Sequence, residues 1–537
     1  MMQSQGMGCL NVYEVEIAKT TTHHVFEDQV SMCTAIEVIN LKGIGIAEAV
    51  YCQPACILSK AKSRGFLHVL LLLVFLNGMA VTCIQGQQTL ELPHLHQLYP
   101  LPPYNEDWSF LKTSTSKTDF WDPVKYIQLS KTRDGFLSLG GEVRETYERF
   151  HNTDFGLQPQ DPDGYSLQRY RLHADLQANR KFRFFTELNS SLEYGRTGGP
   201  RPVLDRDELD VHQGFFDVRF PTGSNASITL RAGRQELDFG SGRLVALREG
   251  PNVPLSFDGV RILLHTTRWQ VNGFATRPVQ NNQGIFDDPP QHDVAFWGVY
   301  GAHSLRIGNK EHTVGAYYLG FDRKQGGFNQ GTAHELRHTI GVRIWNEPTA
   351  WEYDAEAMYQ FGDFGSGSIR AWRVAGHAAR TFSGDLWRPQ PGLDIDIASG
   401  DKDPKKPNLE TFNAFFQSGL YSGRAQILGP NNAIRLEPEI GLQLSRKTTL
   451  SAGWGFFWRQ SSNDGLYGIP GNLIVPSNGV KSRYTGSRPI VELGWQITQH
   501  LSAHVNYIYV FSGRFEEESV HSTSTMSYVA PWMTYRF

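Results

Sequence analysis

The stretch "ITLRAGRQELDFGSGRLVALREGPNVPLSFDGVRILL", Ile228 to Leu264, sets Arg231, Arg234, Arg243, Arg248 and Arg261 among Glu236, Asp238, Glu249 and Asp258. Guanidinium groups stay charged, are planar and grip carboxylates with two parallel hydrogen bonds. Residues of this type bind anions; they supply neither a nucleophile nor a proton shuttle. The pattern is regional. From Lys131 to Arg380 there are 25 Arg and 4 Lys against 30 Asp plus Glu, so the region is nearly neutral yet dense in fixed charge of both signs. Two uses fit this. Opposed ladders of charge brace one another so that no side chain collapses, or the arginines form a lining that selects anions. Composition alone leaves both open.

Other chemistries fare worse. "FGSGS" and "FGSGR" place Ser after Gly, but neither is a GxSxG elbow on a strand-to-helix turn, so an enzyme is not expected. No cofactor is expected. Asp394, Asp396, Asp401 and Asp403 are close enough in sequence to offer oxygens to Ca²⁺, but they lack the spacing of an EF-hand loop, and a polar loop is the simpler reading. Cys52 and Cys56 form no CxxC pair, and no Cys lies between Ile84 and Phe537.

What positions so many charges is shown by "WEYDAEAMYQF". Trp351, Tyr353, Ala355, Ala357, Tyr359 and Phe361 alternate with Glu352, Asp354, Glu356, Met358 and Gln360. In a strand, successive side chains point to opposite faces, giving one wall of rings and one row of acids. The pattern recurs in "RYRLHADLQAN", where Arg169 and Arg171 share the polar face, and in "FRFFTELNSSLEYG", "IRLEPEIGLQLS", "TLSAGWGFFWRQ", "LSAHVNYIYVFSG" and "MSYVAPWMTYRF". Such segments run to Phe537 about every 20 residues, long enough to cross a bilayer when tilted. No amphipathic helix interrupts them, which argues against βαβ folds. Rings near strand ends, a Cys-free body and the terminal Tyr535 and Phe537 argue against a soluble propeller. The expectation is an all-β transmembrane antiparallel barrel of about 18 strands, with rings toward lipid and charge toward an aqueous lumen. Charges facing hydrocarbon would each cost about 2–4 kcal/mol at mid-membrane.

Bulk properties agree. Formal net charge is −3, with no basic excess for nucleic acid, and mean hydropathy is −0.37, which excludes a polytopic helical protein. The one long apolar run, Phe66–Leu76, follows Lys60, Lys62 and Arg64 and precedes small residues, as in a secretory signal peptide cleaved between Thr82 and Gly86. The expected division is a misassigned N-terminal extension over residues 1–58, signal peptide over 59–86, periplasmic lead-in over 87–134 and outer-membrane barrel over 135–537. Translation would then start near Leu58. The lead-in, too short for a large transporter's plug, is long enough to reach the lumen mouth.

Two motifs, "GRQELDFGSGRLV…R…P…SFDGVR" and "DIDIASGDKDPKKPNLETFNAFFQSG", together with the opening strand "LGGEVRETYERF", resemble the alginate-export family of outer-membrane proteins. The resemblance covers about Gly135–Phe537. It implies a monomeric 18-stranded barrel through which an anionic, alginate-like saccharide passes an arginine-rich constriction. The implied partners are that saccharide, outer-membrane lipid, the barrel assembly machinery and periplasmic export proteins. A general or organic-acid diffusion porin is the alternative. By motif position Arg231, Arg234, Arg243 and Arg261 are the basic lining, with Glu236 and Asp258 as acidic counterparts. Alternation supports Arg231 and Arg261. It turns Arg234 to the outer face unless the strand bulges at Gly233, and the inward placement of Arg234 and Arg243 is conditional on that bulge. "DFGSGR" is too glycine-rich for a strand interior, so a turn or an inward loop is expected there.

Overall fold

The computed structural model describes residues 99–537, apart from 114–118, 130–134, 157–159, 224, 309, 347–348, 385–386, 420–422, 426, 470 and 523. The proposed extension and signal peptide lie outside the described residues. Eighteen antiparallel strands form the barrel. They are β1 Phe136–His151, β2 Tyr165–Gln177, β3 Phe182–Tyr194, β4 Asp207–Gly223, β5 Ala226–Gln235 and β6 Phe257–His265. There follow β7 Trp269–Pro278, β8 Val294–Ile307, β9 Lys310–Phe328, β10 Gly331–Asn346, β11 Trp351–Phe364 and β12 Gly367–Arg380. The circuit ends with β13 Trp387–Ala398, β14 Ala433–Ser445, β15 Thr448–Arg459, β16 Tyr484–Gln496, β17 Leu501–Ser512 and β18 Met526–Arg536. Each strand pairs with its sequence neighbour. β18 returns to β1, with Arg536 opposite Glu142 and Ser527 opposite His151, so no sheet edge is left exposed to lipid. Among the described residues no helix is long and apolar enough to cross a membrane.

Alternation sorts the side chains as expected. On β11, Trp351, Tyr359 and Phe361 are exposed on the outer face while Glu356, Met358 and Gln360 are buried in the lumen. Leu172, Leu230, Val260, Ile262, Ile340, Val342 and Val374 extend the apolar exterior over other strands. Both ends of the barrel chain lie at one end of the cylinder, where the turns after β2, β6, β8, β14 and β16 are short. By the rule that periplasmic turns are short and extracellular loops long, that end is periplasmic. Trp269, Trp351, Trp387 and Trp495 stand exposed there, at strand ends, as an aromatic girdle. The opposite end carries the long connections, including the β5–β6 loop (236–256), the β7–β8 loop (279–293), the β13–β14 loop (399–432) and a β17–β18 connection holding helix α1, Arg514–Val520.

Candidate functional site

The β5–β6 and β13–β14 loops do not project outward. They fold into the barrel and are joined there. The Ala246 amide donates to the Phe416 carbonyl at 3.0 Å, the Phe416 amide to Leu244 at 2.9 Å and the Ser418 amide to Gly242 at 2.8 Å. The glycines make the sharp reversal possible. Gly240 and Gly242 have φ of +71° and +73°, and a Cβ on Gly242 would sit 3.0 Å from that of Ala246.

One wall of the lumen holds these loops by charge. Glu249 of the β5–β6 loop accepts from Arg169 Nη2 at 2.6 Å and Arg171 Nη2 at 3.0 Å. Arg144 donates to the carbonyls of Glu249 and Pro251 at 2.7 and 2.9 Å. Burial pushes the Glu249 carboxyl up, but Arg169, Arg171 and Arg144 more than offset it and hold it well below the usual range. Arg169 also donates to Glu142, which ties in Arg536 of β18 at 2.9 Å. Across the lumen Arg243 reaches Asp354 and, at 3.1 Å, Glu356 of β11, and Tyr317 donates to Glu356 at 2.7 Å. The backbone carbonyl of Arg243 accepts from Arg373 at 3.0 Å.

The other wall is apolar. Phe257, Phe274, Phe296 and Phe321, with Tyr300 and Tyr317, pack from β6–β9 against Leu237, Phe239, Leu244 and Phe415 of the two loops. Phe416 meets Phe257 and Phe296 edge-on at 5.0 and 5.2 Å.

The residues singled out from sequence fall into different places. Arg169 and Arg171 line the charged wall. Arg231 points into the lumen, bidentate to Asp217 at 2.8 and 2.9 Å, with its guanidinium 3.6 Å from the Phe215 ring centroid. Arg261 is also inside. It donates to Asn272 at 3.0 Å and neighbours Tyr104, and its Nε and Nη1 have no partner. Glu236 accepts from Gln213 at 3.2 Å and sits 2.9 Å from His212, with burial pushing its carboxyl up to about 7. Arg243 is inside on a loop, so strand parity never applied to it. Arg234 and Asp258 are a correction. Gly233 has φ +129°, yet the β5 register with β4 and β6 runs through it unshifted and Gln235 remains inside. With no bulge, Arg234 keeps the outer-face parity and pairs with Asp258 at 2.9 and 3.0 Å near the extracellular rim. The four aspartates Asp394, Asp396, Asp401 and Asp403 do not converge either. Asp396 is bidentate to Arg373, Asp394 lies 3.4 Å from His377, Asp401 faces Asp464, and Asp403 meets Lys406 at the surface.

Sequence reasoning missed three contributors. Arg144 was readable, because it shares a face with Glu142 in "LGGEVRETYERF". Glu249 carried no sign of its anchoring role. Arg424, on the β13–β14 loop, carried none at all. It is buried with Nε and Nη2 unpartnered and lies 3.8 Å from the Trp532 ring centroid. Among the described residues neither Arg261 nor Arg424 has an acidic partner in an ion pair.

The periplasmic mouth is occupied by the lead-in. Glu106 accepts from Trp108 at 2.7 Å and from Lys125 at 3.0 Å and lies 3.7 Å from His173 of β2. Tyr104 inserts between Phe185, Phe215 and Arg231. Trp121 stacks on Phe537 and donates to the Tyr535 hydroxyl at 2.8 Å.

The sequence model of the alginate export family matches residues 136–530. No curated protein matches. Solved structures of similar fold include a BenF-like porin from Pseudomonas fluorescens Pf-5, 10% identical, TM-score 0.50, covering 75% of this chain and 98% of that one. Pseudomonas aeruginosa OpdK with vanillate, 11% identical, TM-score 0.49, has the same coverage, as does OccK2 (OpdF) from that organism in complex with glucuronate, 12% identical, TM-score 0.47.

Proposed function

This protein belongs to the alginate export family, and we propose that its lumen passes an anionic saccharide, with Arg261 and Arg424 as the groups that meet the carboxylates. It is an outer-membrane β-barrel channel; its family and fold are those of channels and porins. The observation that carries the substrate class is the pair of buried guanidiniums, Arg261 and Arg424, that form no ion pair with a carboxylate among the described residues. An isolated buried charge is costly, and most lumen cations here avoid that cost through Asp or Glu. Two that do not would take their counter-ion from a passing ligand. Arg231, Arg169 and Arg171, whose acids already neutralise them, would shape the field rather than bind.

Planar-bilayer recording tests this. Under a salt gradient the parent should be anion-selective and blocked by oligouronates. Arg261→Gln with Arg424→Gln should shift the reversal potential toward cation selectivity and weaken the block about tenfold, one charged contact being worth about 1.5–3 kcal/mol. An unchanged reversal potential in a folded double variant would sink the assignment. A small organic acid is the second reading. It is favoured by the two inward loops, which are hydrogen-bonded to each other within the lumen. Block by a monocarboxylate but not by an oligouronate would select it.

A further inference from the structure

Four extracellular connections close round one cleft. Leu204 comes from the β3–β4 connection (195–206), Leu255 from the β5–β6 loop, Phe415 and Phe416 from the β13–β14 loop and Ile469 from the β15–β16 connection (460–483). These side chains make an apolar wall. Two polar side chains share the cleft with them, Arg248 of the β5–β6 loop and Gln417 of the β13–β14 loop. The backbone bond from Ala246 to Phe416, both of which line the cleft, holds the two inward loops together there.

Neither polar side chain is satisfied by the protein. Gln417 is 7% exposed, and its Oε1 and Nε2 are both buried without a partner. Buried amides are ordinarily hydrogen-bonded, and leaving both ends unpaired is costly. Arg248 is half-buried. Its Nη1 donates a long bond to the Val203 carbonyl at 3.3 Å, and among the described residues no Asp or Glu pairs with it. Burial draws its guanidinium down to about 10, and no nearby acid offsets this. Its chain neighbour Glu249 is spent on Arg144, Arg169 and Arg171. A cation without its anion, an amide with donor and acceptor both open, and an apolar wall in one cleft are the parts of a small-ligand site.

We propose that this cleft binds a small organic anion with an apolar body, its carboxylate on Arg248, its body against Leu255, Phe415 and Phe416, and Gln417 as its second polar contact. A charge-assisted bond to a carboxylate gives Arg248 the counter-ion that the loops do not supply. Such a ligand bridges the β5–β6 and β13–β14 loops at the extracellular entrance and acts as a capture site there. The cleft is separate from the lumen arginines. Arg261 lies on β6 against Asn272 of β7, Arg424 lies on Trp532 of β18, and neither lines the cleft. The inference therefore does not rest on whether those two arginines meet the transported anion.

The test uses the whole protein in nanodiscs, with para-fluorobenzoate as probe, fluorine NMR as readout and empty nanodiscs as blank. An Arg261→Gln, Arg424→Gln background removes the lumen arginines, so that the cleft is read alone. Saturable binding with Kd of about 10⁻³ M or tighter is expected in that background. Adding Arg248→Gln should weaken it about tenfold or more. The uncharged para-fluorobenzamide should bind no better than para-fluorobenzoate binds that variant. Gln417→Leu should weaken binding several-fold and leave Tm unchanged or raised, because it removes an unpaired buried amide. A Gln417→Leu variant that lost Tm and kept its binding would overturn the contact assigned to Gln417. Failure to saturate at about 10⁻² M, equal binding of the benzamide and the benzoate, or binding unchanged by Arg248→Gln would overturn the site.

Discussion

The two walls of the lumen hold the same inward loops by different physics. On the β1–β2 side one carboxylate of the inward loop, Glu249, sits among Arg144, Arg169 and Arg171. On the β6–β9 side a continuous aromatic surface receives Phe239, Phe415 and Phe416. Apolar contact scales with area and has no charge to screen, so it suits a permanent seat. A charged contact can be exchanged for another anion at little net cost, so it suits a latch that a polyanion could open. The difference teaches that an arginine-rich lumen need not be a uniform track. Here most of its arginines are structural, and the loops divide seat from latch.

The largest effect should come from breaking the seat. Phe296 is fully buried on β8 and contacts both Phe415 and Phe416. Phe296→Ala should cost about 3–5 kcal/mol, as large-to-small changes in cores do. Heat-modifiability on gels and thermal unfolding should both report it. Glu249→Gln should cost less, about 1–3 kcal/mol, because the amide keeps one acceptor oxygen for the arginines, but it should raise channel open time more. If Glu249→Gln lowered Tm as much as Phe296→Ala and left open time unchanged, the division between latch and seat would fail.

The overall fold was legible because its code is local. A period of two, repeated over segments such as Tyr170–Ala178 and Trp351–Phe361, fixes which side chains face lipid without knowledge of any partner. The same parity placed Arg231 and Arg261 inside. The motif-based choice of Arg234 needed a bulge, and glycine at 233 permitted one without causing it. The loop anchors were not legible, because their code is long-range. Arg169 and Glu249 are 80 residues apart, and nothing near Arg424 announces Trp532.

A smaller effect separates the anchors by pH. Asp401, at the root of the β13–β14 loop, has its carboxyl pushed up to about 6 by burial and by Asp464, Glu410 and Asp403. The packed loop thus binds that proton more tightly than an open loop would. The contribution is complete below the ordinary Asp range of about 4 and is lost as pH rises through about 6. Glu249 has the opposite sign. Its depressed carboxyl stabilises the latch above the ordinary Glu range and releases it only in strong acid. Between about pH 5 and pH 7.5 the latch is therefore constant while the Asp401 anchor weakens, and open probability should rise with pH. Asp401→Asn should flatten that rise. A rise that persisted in Asp401→Asn would place the titrating group elsewhere.

The smallest effect marks where the charged wall ends. Arg231 and Arg234 are three residues apart on β5, and an odd separation in a strand puts them on opposite faces. Arg231 points inward onto Asp217, whereas Arg234 is paired with Asp258 at the rim, with Gly233 unbulged between them. Neutralising Arg231 leaves Asp217 uncompensated in the lumen and adds net negative field along the path, so Arg231→Gln should reduce anion preference measurably. Arg234→Gln removes a partly solvated pair off the conduction path, where an ion pair is worth about 0–1 kcal/mol. Its reversal potential should match the parent's within error, with at most a small loss of Tm. If Arg234→Gln instead shifted selectivity as far as Arg231→Gln does, the outer face assigned to Arg234 would be wrong, and Arg234 would belong to the lumen lining beside Arg231.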